Sequence, residues 1–167
     1  LPEIPIHFIA ETGNHNLTGL LRWHKYFGQQ LQRLALSSEL PISTLINYCR
    51  SLTVPCEILA VGKILLFYTP RKLLSNFETS KNSFEFMEKI LVPSDQQQRQ
   101  FQTLQNQHGT FMYHHKDLFL LDFIPELQKV NLKVLRLDFR NIEIKPDCIK
   151  KIDSLLGSFD KQKVKSL

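Results

Sequence analysis

Acidic, amide and basic side chains fall where apolar runs of this chain give way to polar loops. Residues 6–10 lead into ETGNHN, which carries Glu11, Asn14, His15 and Asn16. RLALSSE brings Ser37, Ser38 and Glu39 to the end of a second apolar run. Residues 54–61 are followed by Gly62, Tyr68 and Arg71, and VLRLDF delivers Asp138 and Arg140. In a parallel α/β fold such junctions collect on one rim, where catalytic and binding residues sit. Glu39 and Asp138 are therefore the candidate catalytic carboxylates, and Asn14, Asn16, Tyr68, Arg71 and Arg136 the candidate substrate-binding residues.

Each assignment has a plainer counterpart. Glu39 suits a general base or a ligand-orienting carboxylate. An ion pair with Arg136 or Arg33 accounts for it equally well. His15 adjoins the same region and could act as an acid or base. Asn14 and Asn16 also fit loop and helix-cap chemistry. Lys63, Arg71 and Lys72 form a basic loop suited to phosphate or carboxylate, with Tyr68 placed for stacking, and equally suited to plain solvation. Ser37, Ser38 and Ser75 lack the GxSxG setting of a nucleophile elbow. His114 and His115 are adjacent, so on a strand they are expected on opposite faces and do not make a shared metal site. No metal is expected, and no cofactor.

The elements that must position these residues alternate. IHFIA reads as a strand; Asn16 then caps a helix striped by Leu17, Leu20, Leu21, His24 and Phe27. RLALSSE is a second strand, Pro41 introduces a helix with Ile42, Leu45, Ile46 and Cys49 on one face, and residues 54–61 form a third strand. Strands separated by single helices must be parallel. Residues 63–100 read as irregular, with one helical turn at most. FQTLQNQHGTFMYHH reads as a hairpin around His108 and Gly109, residues 118–130 as a helix, and VLRLDF as a strand. Pro146 opens a last helix striped by Ile149, Ile152, Leu155 and Leu156.

The chain has 167 residues, 43% of them hydrophobic and 22% charged, as expected for one globular domain over residues 1–160 with a basic tail at 161–167. No apolar run approaches the roughly 20 residues of a membrane span, and no signal peptide is evident. Three scattered cysteines, Cys49, Cys56 and Cys148, give neither a disulfide framework nor a zinc spacing, so a reducing, cytoplasmic setting is expected. A net charge of +5 is compatible with RNA but weakly informative. The start lacks an initiator Met and reads as a fragment, a processed product or the later part of a longer chain.

The stretch from Glu57 to Ser75, EILAVGKILLFYTPRKLLS, resembles the signature of the collagenase-like peptidases. Glu57, Gly62, Ile64, Leu74 and Ser75 occupy their places in that pattern, whereas Leu59 replaces a Phe, Lys63 a small residue and Pro70 a Gly. Leu65 and Lys72 stand where the pattern has its two cysteines. The likeness extends over residues 6–142, through the Asn-containing loop, the element Ser37–Ser38–Glu39–Leu40, the hairpin, and LLDFIPELQKVNLKVLRLDFR.

That resemblance implies an α/β fold, a partial TIM-type barrel with an inserted β-hairpin, completed by an upstream segment or by a partner chain. It also implies a choice of activities. The family is described as peptidases of unassigned mechanism, while relatives act in oxygen-independent hydroxylation of RNA or ubiquinone precursors, several with cysteine-held iron–sulfur clusters. Leucine cannot ligate a metal and lysine is normally cationic, so a family-type cluster is not expected in this segment. Three readings remain open: a cluster-free enzyme acting on RNA or a small molecule, a peptidase acting on protein or peptide, and a non-catalytic relative that kept the fold.

Overall fold

The computed structural model describes residues 4–10, 15–76, 89–140 and 146–157. Asn14, Phe77, Phe84, Phe86 and the basic tail lie outside the described residues. In chain order the elements are β1 (Ile6–Ile9), α1 (Leu17–Phe27), β2 (Leu31–Ala35), α2 (Ile42–Ser51), β3 (Cys56–Thr69) and β4 (Lys89–Leu91). They continue with β5 (Thr103–Asn106), β6 (Gly109–Phe119), α3 (Ile124–Leu127), β7 (Leu132–Leu137) and α4 (Pro146–Gly157). The fold is mixed α/β and divides into two compact units, Leu1–Gly62 with Leu118–Leu167, and Lys63–Asp117.

In the first unit β1 pairs with β2, β2 with β3, and β3 with β7, all parallel, as the strand–helix alternation requires. Local chemistry sets the helix ends. Asn16 Oδ1 accepts a hydrogen bond from Gly19 N at 2.6 Å, and Gly28 closes α1 at a φ of 55°. Pro41 precedes α2, whose Leu45 and Cys49 are buried. Alternation along the strands then sorts two faces. Phe8, Leu34, Cys56, Ile58 and Leu135 join the helix-packed core with Leu20, Leu45 and Leu127. His7, Arg33, Glu57, Leu59 and Arg136 alternate with them and stand on the opposite face.

Several elements depart from the sequence expectation. The second strand stops at Ala35, and Ser37–Leu40 makes a turn closed by Leu40 N to Ser37 O at 3.3 Å. The third strand does not end at Val61; it runs on to Thr69. Gly62 looks like a strand end but lies inside β3, at a φ of 158°; the β3–β7 register shift falls just before it, between Leu59 and Val61. A Cβ at residue 62 would meet Leu59 Cδ1 at 3.0 Å and Asp138 Cβ at 3.3 Å, at a backbone φ that L side chains rarely adopt. Residues 118–130 are the end of β6, a 3-10 turn at Leu121–Phe123, and the single helical turn of α3. In α4, Ile152 is buried whereas Ile149 is exposed.

The second unit holds the remainder of β3 and the antiparallel β4–β5–β6 meander. The hairpin turn is Gln107–His108, one residue earlier than the sequence suggests, because Asn106 pairs with Gly109. Three polar side chains are buried behind it. Thr110 Oγ1 donates to Arg71 O at 2.9 Å and accepts from Leu73 N at 3.1 Å, while Gln105 Oε1 accepts from Leu74 N at 2.6 Å. These bonds satisfy the backbone of residues 71–74 and hold it against the hairpin.

Candidate functional site

The rim of the first unit is built by backbone bonds that prolong the parallel sheet past its strand ends. Ala10 N donates to Ala35 O at 2.8 Å, Leu36 N to Glu57 O at 2.9 Å, and Asp138 N to Val61 O at 2.8 Å. From this edge rise His15, Glu39 and Asp138. His15 Nε2 lies 3.8 Å from Glu39 Oε2, and the two side chains are 39% and 37% exposed. The pair is thus close enough to exchange a proton through small movements and open enough to meet a ligand. Tyr48 on α2 anchors the loop by donating its hydroxyl to His15 O at 2.9 Å. Ser37 is only 1% exposed, and its Oγ accepts from Glu39 N at 3.3 Å, so the serine shapes the turn that presents Glu39.

Asp138 starts from a strand two away from that of Glu39, roughly 10 Å by strand spacing. Its carboxylate accepts from Arg140 Nε at 2.9 Å, and this guanidinium holds Asp138 below the ordinary carboxylate range. A carboxyl whose folded pKa is depressed contributes stability above its unfolded pKa and loses it as pH falls through the folded value. Acid unfolding of the Asp138→Asn protein should therefore lose part of its steepness below about pH 4, read by circular dichroism against the parent. An unchanged acid limb would show that the ion pair carries no such linkage.

Arg33 and Arg136 do not reach Glu39; both converge on Glu57. Arg33 Nη1 is 3.2 Å from Glu57 Oε2, and Arg136 Nε is 3.9 Å from Glu57 Oε1. The Glu57 side chain is 13% exposed, less than either arginine. Removing the carboxylate leaves two half-buried like charges, which should cost about 1–3 kcal/mol in Glu57→Leu. In urea titrations, Arg33→Leu placed on top should recover part of that loss. A double variant weaker than either single one would contradict this account.

The remaining candidates are dispersed. Asn16 uses its side-chain oxygen as the α1 cap. Tyr68 and Arg71 belong to the second unit, where Tyr68 donates to His108 O at 3.0 Å and stacks on Phe111 at 4.8 Å between ring centres. Arg71 is exposed there, near an apolar cavity of about 330 Å³ lined by Phe67, Leu73, Leu74, Pro93 and Met112. Lys63 is not in a loop; it lies on β3 and pairs with Asp117 at 2.8 Å. His114 and His115 do not point apart, since their rings lie 4.1 Å from each other and Lys116 N folds back onto His114 Nδ1.

Cys49 and Cys56 are fully buried. The hydrogen bond with Cys49 and burial push the Cys56 thiol well above its usual range, so it stays protonated. Leu65 and Lys72, at the signature's cysteine positions, supply no ligand atoms of thiolate type. Among the described residues no three His, Cys, Asp or Glu side chains converge as metal ligands, and no helix is long and apolar enough to cross a membrane. Sequence reasoning passed over Glu57 as a site residue; the available signal was a lone carboxylate in the apolar run CEILAV.

The first unit is a parallel sheet covered by helices, with an imidazole–carboxylate pair past its strand ends. The profile of peptidase family U32 matches residues 1–146, and the chain belongs to that family. No curated protein and no solved structure gives a match.

Proposed function

We propose that this chain carries the acid–base part of a family enzyme that acts on RNA or a small molecule without an iron–sulfur cluster in this segment. The His15–Glu39 pair, exposed at the rim and braced by Tyr48 and Ser37, is the observation that supports this reading. Glu39 acts as the base and His15 tunes or relays its proton. Asp138, kept anionic by Arg140, supplies fixed negative charge to orient a donor group. Asn14 and Asn16 bind substrate, and Arg136 does so from the sheet. Tyr68 and Arg71, in the second unit taken by itself, are proposed as further substrate-binding residues.

A peptidase reading has weaker support. Ser37 beside Glu39 is buried and its Oγ accepts from Glu39 N, and the half-buried Ser38 lacks the setting of a nucleophile elbow. The parallel sheet agrees with a partial TIM-type barrel, completed in the cytoplasm by an upstream segment or a partner chain. Modified nucleosides of tRNA and ribosomal RNA should differ between wild-type cells and cells lacking the gene. Identical nucleoside profiles would remove the RNA arm, and gelatin or casein cleavage by the purified protein would turn the assignment to proteolysis.

A further inference from the structure

In the second unit, taken by itself, the β5–β6 hairpin turns four side chains to one side. Thr103 and Gln105 on β5 pair in register with Met112 and Thr110 on β6, and they alternate with Leu104 and Phe111. Nearer the turn, Thr110 and Gln105 spend their oxygens on the backbone of residues 71–74. Two positions further from it, Thr103 and Met112 line the apolar cavity of about 330 Å³ instead. Thr103 is 7% exposed, and its Oγ1 has no hydrogen-bond partner among the described residues. Folded proteins seldom leave a buried hydroxyl in that state unless something else meets it.

Size, lining and access narrow what fits. The volume lies at the small end of ligand-binding cavities, enough for one substituted ring. The walls are Phe67, Leu73, Leu74, Pro93 and Met112, and no charged side chain lines the cavity among the described residues. An ionic group would lose its hydration there with nothing to replace it. Phe67 and Leu73 are 43% and 45% exposed, whereas Leu74 and Thr110 are buried, so the cavity has an open apolar lip and a closed floor. We propose that it binds a neutral, compact, mainly apolar molecule with one hydrogen-bonding atom, a phenol being the simplest kind, which partners the Thr103 hydroxyl. A threonine hydroxyl both donates and accepts, so either sense of bond serves. The site lies wholly within Lys63–Asp117 and uses neither His15 nor Glu39.

The full chain is titrated separately with p-cresol, toluene and p-toluate, which share a ring and differ in carrying a hydroxyl, nothing or a charge. Amide chemical shifts follow each titration. p-Cresol and toluene should shift the amides of Leu74, Thr103 and Met112 saturably, and p-toluate should not. Thr103→Val, nearly the same shape without the hydroxyl, should weaken p-cresol about threefold to tenfold, the worth of one neutral hydrogen bond, and leave toluene unchanged or tighter. Its thermal midpoint without ligand should equal or exceed the parent's, because the substitution removes a buried hydroxyl that has no partner. Thr103→Ser, which keeps the hydroxyl, should bind p-cresol more tightly than Thr103→Val does. Absence of saturable shifts with p-cresol, equal affinity for p-toluate, or a Thr103→Val protein that binds p-cresol as the parent does would each overturn the proposal.

Discussion

Glu39→Gln is expected to lower the protein's turnover by about 10²–10⁴-fold while leaving the fold intact. The substitution keeps side-chain size and leaves the backbone bond from residue 39 to Ser37 Oγ untouched. It removes the charge that faces His15 across 3.8 Å and the oxygen able to take a proton. Because Glu39 is exposed, its stability effect should fall within about 0.5 kcal/mol. Two readings are needed together: the modified nucleosides restored by the variant in cells lacking the gene, and its thermal midpoint. Full restoration would show that Glu39 is not the base. Loss of restoration with a collapsed midpoint would show that it is structural, and either result dismisses the proposed role.

Gly109→Ala should be the most damaging single methyl in the second unit. Gly109 opens β6 at a φ of 132°, a conformation that L side chains rarely adopt. An added Cβ would lie 2.1 Å from Thr69 O and 2.8 Å from Pro70 Cα. Both obstacles are backbone, so no rotamer change relieves them. The expected cost is about 3–5 kcal/mol, concentrated in Lys63–Asp117. Gly28→Ala is the matched comparison, since Gly28 also has positive φ, at 55°, but nothing lies within 4 Å of its Cβ position. It should cost about 1 kcal/mol. Hydrogen exchange of β5 and β6 amides would report the difference, and equal losses in the two variants would mean that the turn shifts freely to admit a side chain.

The helices of the first unit were legible because their signals are local. Asn16 and the Leu17–Leu20–Leu21 stripe define α1, and Pro41 with Leu45 and Cys49 defines α2, all within a few residues of one another. The length of β3 was not legible. Gly62 followed by Lys63 imitates a strand end, whereas β3 runs through both to Thr69, beyond a register shift against β7 at Leu59–Val61 that no local pattern encodes. Residues 118–130 misled for a related reason: LFLLDFIPEL is apolar enough to satisfy helix and strand periods alike, and the sheet claimed its first residues. At the site, Glu39 and Asp138 could be found because strand-to-loop junctions are visible in sequence. The role of Glu57 could not, because its partners Arg33 and Arg136 arrive from other strands through pairing that no local pattern encodes.

The bond from Leu120 N to Ala60 O, 2.7 Å long, ties the chain together just outside the points where Lys63–Asp117 departs and returns. That clasp belongs wholly to the first unit. Topologically the second unit is a tethered loop whose two roots are already fastened, so its excision needs only a short bridge from Gly62 to Leu118 and leaves the parallel strand order unthreaded. A segment inserted in this way can be shortened, exchanged or elaborated in evolution while the rim that bears His15 and Glu39 keeps its connectivity.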